Sequence, residues 1–284
     1  MGEMMPTRTW TGNTDGDWNT ASNWAETAVP GDGDDVYITS GSVSIDGYDA
    51  SATDLTSLTV GSSYTGTIGS SGTKLKINAT TFNFAGASDA YIDGSIFTNL
   101  IVQSTSSSST ALNLSNVTIT NLRVFGGFGT VTVSSGEITT KIEQIGADGV
   151  TLNIADGLTI GGSCTLTVDS GILQLNQAVP TITVFGGLVD IQLDSGTITT
   201  LNQYGGRIRW IPTASCTITA LNLYSGLFDS KDSTSPTYTI TDATIHENAT
   251  IDERSGLENA TYTNPVSIEG GEIRYDSGRS VTIT

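Results

Sequence analysis

The densest cluster of groups able to do chemistry is GDGDD, Gly31 to Asp35, with Asp15 and Asp17 just upstream. Carboxylates in a glycine-rich loop are hard oxygen ligands, and Asp32, Asp34 and Asp35 are the residues that would hold a calcium ion there. The loop has no glutamate at the twelfth position of an EF-hand spacing, and the nonapeptide calcium repeat does not occur. The competing reading is a solvated turn leading into a strand at Val36 to Ile38, which needs no cofactor.

A second set of acids, Asp190 and Asp229 with Asp242 and Glu247 further on, would suit glycoside hydrolysis, which needs two carboxylates about 5–10 Å apart. Arg209 falls between the first two in the repeat described below, so an ion-pair ladder accounts for all three and no catalytic residue is assigned. His246, the one histidine, has no nucleophile pattern beside it and reads as an outward residue on a late coil. Each Gly-Gly pair lacks the Lys-Ser/Thr or the helix of a phosphate loop. Cys164 precedes TLT and Cys216 precedes TIT, which suggests equivalent strand starts. They lie 52 residues apart, two to three coils, which is beyond disulfide reach, so two free, partly buried thiols are expected.

The elements that position these groups follow from a repeat of 19 to 20 residues. VPTITVFGG (Val179 to Gly187) recurs as GTITTLNQYGG (Gly196 to Gly206) and CTITALNLYSG (Cys216 to Gly226), with Phe185, Tyr204 and Tyr224 in one slot. An earlier copy, VTITNLRVFGG, puts Phe125 and Gly127 in the same slots, three coils before. Weaker copies read at GEITTKIEQIG, FTNL, FNFAG and LTVGS. Within a unit the apolar residues alternate with polar ones, as in LVDIQL, which is the period of a strand, and glycines punctuate the runs. A fixed period of this size in an all-β chain marks a solenoid. The expected fold is a single all-β solenoid, a right-handed parallel β-helix of about ten coils, on the order of 50 Å long at strand spacing.

Stacking the copies predicts columns. Val189, Ile208 and Phe228 coincide and point inward, as does Ile191 with Trp210. Asp190, Arg209 and Asp229 coincide on the outward face, where an arginine between two aspartates is favourable. Asn202 over Asn222 forms an amide ladder, and Phe185, Tyr204 and Tyr224 an aromatic stack. That stack reads as packing, with a sugar platform as the alternative.

Residues 9 to 38 differ from the repeat and hold three of the four tryptophans, Trp10, Trp18 and Trp24. An open solenoid end exposes core and unpaired edges, and three indoles supply a cap. The chain thus divides into a cap at 1–45, a solenoid at 46–250 and a less regular strand-rich end at 251–284. Strands are expected there at Val266 to Ile268, Glu272 to Tyr275 and Val281 to Thr284. An edge at that end must be covered, and a second copy is the simplest cover.

The cap motif is Trp10-Thr11-Gly12, Trp18, Asn23-Trp24, Pro30 and Asp34-Asp35-Val36-Tyr37-Ile38. It resembles the opening of repeat-rich β-solenoid proteins found among bacterial surface adhesins and structural proteins of tailed-phage particles. The resemblance covers about 30 residues and implies an architecture but no catalytic residues. Met1 to Thr9 lacks the regions of a signal peptide, which tilts it toward the phage side.

Bulk properties limit the partners. The net charge of −18 argues against nucleic acid or an anionic membrane, and no 18-residue apolar run occurs for membrane insertion. The expectation is a structural virion protein, a capsid decoration or cement protein forming homotrimers on the major capsid or other virion proteins, assembled in the host cytoplasm. The alternatives are a glycan-binding tail-fibre or adhesin module at a cell surface, and a polysaccharide-degrading tailspike domain.

Overall fold

The structure, a computed structural model, describes residues 6–103, 110–126, 129–230, 238–254 and 260–275. Gly127 and the strand expected at Val281 to Thr284 lie outside the described residues. The described chain is a β-solenoid built from two parallel sheets, one of fifteen strands and one of ten. No α-helix occurs among the described residues; a single 3-10 turn spans Ala21–Asn23.

The first four strands, Thr7–Thr9, Asp35–Gly41, Asp49–Tyr64 and Lys76–Phe84, belong to the long sheet alone; from Ala90–Asp93 onward the chain alternates between the two sheets, and strands pair in parallel with their counterparts in the next turn. The apolar periodicity becomes a column: Val36, Leu58, Phe82, Leu100, Leu122, Ile142, Leu166, Ile182, Leu201 and Leu221 lie one over another. All ten are buried. FTNL over ITNL, LTV over FNF and GEITTKIEQI over VTITNLRVF are all in the expected register. The inward pairs hold as well, with Val189, Ile208, Phe228, Ile191 and Trp210 fully buried.

The period is less even than the clearest copies suggest. Thr165 pairs with Thr181, 16 residues on, whereas Leu58 pairs with Phe82, 24 residues on. Corners absorb the difference, because a parallel ladder needs its strands in register and places no demand on the length of a surface turn. The long sheet also begins earlier than residue 46: Thr7–Thr9 pairs with Asp35–Gly41, which pairs with Asp49–Tyr64. At the other end Ala260–Tyr262, Ser267–Glu269 and Glu272–Arg274 continue the same parallel stack.

The strands Thr197–Gln203, Thr217–Leu223 and Tyr238–His246 of the long sheet each bend once. Alternation fails at one place, where two neighbouring residues both face out: Ile198 points in, Thr199 and Thr200 out, Leu201 in again. The same break recurs at Thr219/Ala220 and Thr241/Asp242. The bend folds the sheet around the core and leaves a convex ridge.

The repeated second glycine has a backbone reason. Gly187, Gly206 and Gly226 have φ of 78°, 69° and 95°, the left-handed region. A Cβ on any of them would lie 2.6 Å from the carbonyl oxygen of the preceding glycine in the column.

The three tryptophans of the segment before the repeat pack together. Trp10, Trp18 and Trp24 are 3%, 1% and 1% exposed. Trp24 packs edge-on against both others, at ring separations of 5.1 and 4.8 Å, and its Nε1–H donates to the Trp18 carbonyl at 2.9 Å. Asn23 ties the segment together. Its Oδ1 accepts from the Thr14 and Asp15 amides at 2.9 and 3.1 Å, and its Nδ2 donates to the Asp15 carboxylate and the Asp17 carbonyl. Its own carbonyl accepts from the amides of Thr11 and Gly12.

Candidate functional site

The acidic loop comes first. Asp34 is buried, and its carboxylate takes the Arg8 guanidinium at 2.8 Å and the Gly31 amide at 2.9 Å. Asp32 accepts from the Asp54 amide and Asp35 from the Ser57 hydroxyl. The three carboxylates therefore serve three separate contacts between the first turns. Among the described residues no group of three or more His, Cys, Asp or Glu side chains is placed to hold a metal ion.

The charged ladder has the expected register, Asp190 over Arg209 over Asp229. Its environment differs from the expectation of an open outward face: Asp190 is 4% exposed and Asp229 3%. Long arginine side chains lie over the short aspartates and exclude water from them. Arg209 clamps Asp190 through two guanidinium nitrogens, with Nε to Oδ1 at 2.6 Å. Asp229 is held by Arg207 of the neighbouring turn. The column also runs further than the repeat indicates, since Asp252 follows Asp229 and Arg274 follows Asp252. Two carboxylates in adjacent turns would repel, and each carries its own guanidinium, Arg207 for Asp229 and Arg254 for Asp252. Both acids are thus held in ion pairs that join neighbouring turns. We expect Arg209→Ala to lower stability by about 1–3 kcal/mol, because it uncovers the Asp190 carboxylate. Asp190→Ala together with Arg209→Ala should lose less than the sum of the single changes. Urea unfolding of the four proteins tests this, and strict additivity would refute the coupling.

A similar cluster carries no signal in the sequence. Lys74 Nζ donates to Ser115 Oγ at 2.7 Å, and Ser115 Oγ donates to Asp93 at 2.5 Å. A lysine beside a serine invites comparison with a nucleophile and its base. Here the hydroxyl proton is committed to Asp93, whose carboxyl lies below its ordinary range chiefly through that bond. Asp93 also lies 3.9 Å from the ammonium, which favours its charged form. The three residues lie on separate turns and tie them together.

The aromatic column is real and lies on the surface. Phe185, Tyr204 and Tyr224 stack at 5.1 and 4.5 Å with planes 15° and 2° apart, and they are 50%, 44% and 37% exposed. His246 extends the stack at 4.5 Å and 7° and pairs with Glu269 at 2.9 Å. The longer turn before it hides its role as a fourth ring; the signal is IH in the place of LY. Phe125 belongs to the same column three turns earlier, over Ile145, and Arg123 lies 5.8 Å from its ring centroid. Because the rings stack along the rod, their faces are largely covered by one another and solvent meets their edges. Sugars stack on ring faces, so the column is a weaker platform than its exposure suggests. Beside it, Asn222 Nδ2 donates to Asn202 Oδ1 at 2.9 Å, the expected amide ladder.

Both cysteines are free and are fully buried. They are not in equivalent positions. Thr165 pairs with Thr181, Thr181 with Thr200 and Thr200 with Ala220, so Cys164 sits in the slot of Thr219. TLT lies after the bend and TIT at Thr217 to Thr219 before it. Burial pushes both thiols up to about 11, helped at Cys216 by Asp194. We expect both to react with a thiol reagent at pH 8 roughly a hundredfold more slowly in the native protein than in denaturant. Fast native labelling would show an accessible thiol. The shift is upward, so its contribution to stability is complete below pH 9 and lost as pH rises through 11.

Comparisons with protein-family models, curated proteins and solved structures found no match for this chain. No helix among the described residues is long and apolar enough to cross a membrane.

Proposed function

We propose that this protein is a structural component of a particle, a capsid decoration or cement protein of a tailed bacteriophage that acts as a homotrimer on the major capsid or other virion proteins. The observation that carries the structural part is the unbroken stack. Parallel pairing runs from Thr7–Thr9 to Ala260–Tyr262 around a filled apolar interior, with one end closed by tryptophans. Such a rod is stiff and acts by presenting long faces to neighbours. The clamped state of Asp190 and Asp229 favours this reading over a polysaccharide-degrading tailspike domain. The phage setting, and with it a virion location, rests on the resemblance of the Trp10 to Ile38 segment.

A glycan-binding tail-fibre or adhesin module at a cell surface is the second reading, favoured by the exposed Phe185, Tyr204 and Tyr224. Light scattering after size exclusion, with and without EDTA, decides between them. A mass near three times 29.5 kDa supports the virion protein. A monomer under both conditions overturns the trimer and favours the glycan module. A trimer lost only in EDTA would return calcium to Asp32, Asp34 and Asp35.

A further inference from the structure

One block of the surface repeats without change over four consecutive rungs of the long sheet. Both of its outward positions are threonine each time: Thr197 and Thr199, Thr217 and Thr219, Thr239 and Thr241, Thr261 and Thr263. Thr197 pairs with Thr217, Thr217 with Thr239 and Thr239 with Thr261. Ile198, Ile218, Ile240 and Tyr262 keep the same register one residue on, so the second threonines form a parallel column. The Thr263 amide donates to the Ile240 carbonyl at 3.0 Å and holds the last rung in line. Ile198, Ile218 and Ile240 are fully buried, so the threonines on either side of them face away from the core. None of the eight threonines is buried. Among the described residues, none of their hydroxyls has a hydrogen-bond partner in the protein.

No other part of the described surface matches this block. Elsewhere both outward positions are threonine on at most two consecutive rungs, Thr165/Thr167 and Thr181/Thr183, and the next rung there carries Thr200 and Asn202. On the short sheet Thr130/Thr132 lies between Ala111/Asn113 and Thr151/Asn153. The block is therefore a small lattice. Its rows repeat at about 4.8 Å along the rod and, two residues apart, at about 6.6–6.8 Å across it. Threonine is stiff at χ1, so hydroxyls and methyls keep one pattern from rung to rung. Each hydroxyl offers one donor and two acceptor sites to water.

A repeat in two directions selects a partner that also repeats in two directions. The oxygen rows on a face of hexagonal ice do so, close to strand spacing one way and close to two strand residues the other. A polysaccharide would look for ring faces, and the exposed rings lie on the far side of the bend, beyond Thr200 and Ala220. A protein partner favours large aromatic or arginine anchors, and the block has none. We propose that this threonine block is an ice-binding face, which orders water at its own spacing and joins the lattice of a growing crystal. The proposal goes beyond the particle reading and is independent of the oligomeric state.

The test is slow growth of an ice front through a dilute solution of the full chain, measuring the protein taken into the ice and the shape of small crystals in supercooled solution. Thr217→Lys and Thr219→Lys place a long cation in the middle of the block. Thr219→Tyr, a strand-favouring residue too large for the lattice, is the companion should lysine disturb folding. Thr132→Lys, outward on the short sheet, is the control. Circular dichroism melts establish folding. The expected result is that parent and control enter the ice at least fivefold more than an inert acidic protein of similar size and facet the crystals. The folded block variants should fall to the inert level. A parent excluded from ice, with rounded crystals, overturns the proposal. Folded block variants as active as the parent overturn the assignment to this block. Binding of the parent to crystalline cellulose or chitin in place of ice, lost in the same variants, also overturns it and gives the face to a polysaccharide.

Discussion

Asn23→Ala is expected to detach the cap, with a loss of about 3–5 kcal/mol in urea unfolding and a red shift of tryptophan emission before the main transition. The side chain is completely buried and makes four hydrogen bonds, two accepted and two donated. Truncation leaves the Thr14 and Asp15 amides and the Asp17 carbonyl without those partners, at about 1–3 kcal/mol for each group that water cannot reach. Residue 23 also sets the chain for Trp24, whose ring is the centre of the indole cluster. Asn23→Asp is the informative companion. It keeps both accepted bonds but faces the Asp15 carboxylate with a second negative charge, so it should lose more at pH 7 than at pH 4. A parent-like melt for Asn23→Ala would show that the indoles alone hold the cap.

Gly206→Ala should be as damaging, although it adds only one methyl group. The left-handed backbone costs a non-glycine residue roughly 1–3 kcal/mol. The new Cβ would also lie 2.6 Å from the Gly187 oxygen and 2.8 Å from the Gly186 carbonyl carbon, both backbone atoms of the turn below. Relief requires the two turns to separate, which strains the ladders on either side. We expect a loss above about 3 kcal/mol or failure to fold. Gly31→Ala is the control: nothing lies within 4 Å of its added Cβ, and a change within about 0.5 kcal/mol is expected. Equal effects at the two positions would remove the packing explanation.

Both residues bear on how the protein reads as a sequence. Gly187, Gly206 and Gly226 are visible because a solenoid places each turn in the same surroundings as the last, so one requirement repeats at one interval. The columns of Val189, Ile208 and Phe228, of Asn202 and Asn222, and of Phe185, Tyr204 and Tyr224 are legible for the same reason. The tryptophans are legible as a cap because bulky indoles collected at one end have few other uses. Asn23 is legible only as part of a motif, since hydrogen-bond partners from Thr11 to Asp17 depend on how that segment closes.

Other features are hidden because they depend on where corners place the chain. The cysteines stand before similar words, TLT and TIT, yet lie in different slots because one word comes after the bend and the other before it. His246 and Asp252 complete the ring stack and the charged ladder, but longer turns shift them off the 19 to 20-residue spacing. The strand period, the parallel stacking and the inward columns can all be read from the chain alone, since alternation and turn residues are local properties. The covering of Asp190 and Asp229, the face-to-face rings and the bend of the long sheet emerge only on folding. They depend on which residues of neighbouring turns meet, and a ladder of hydrogen bonds sets that while leaving corner length free.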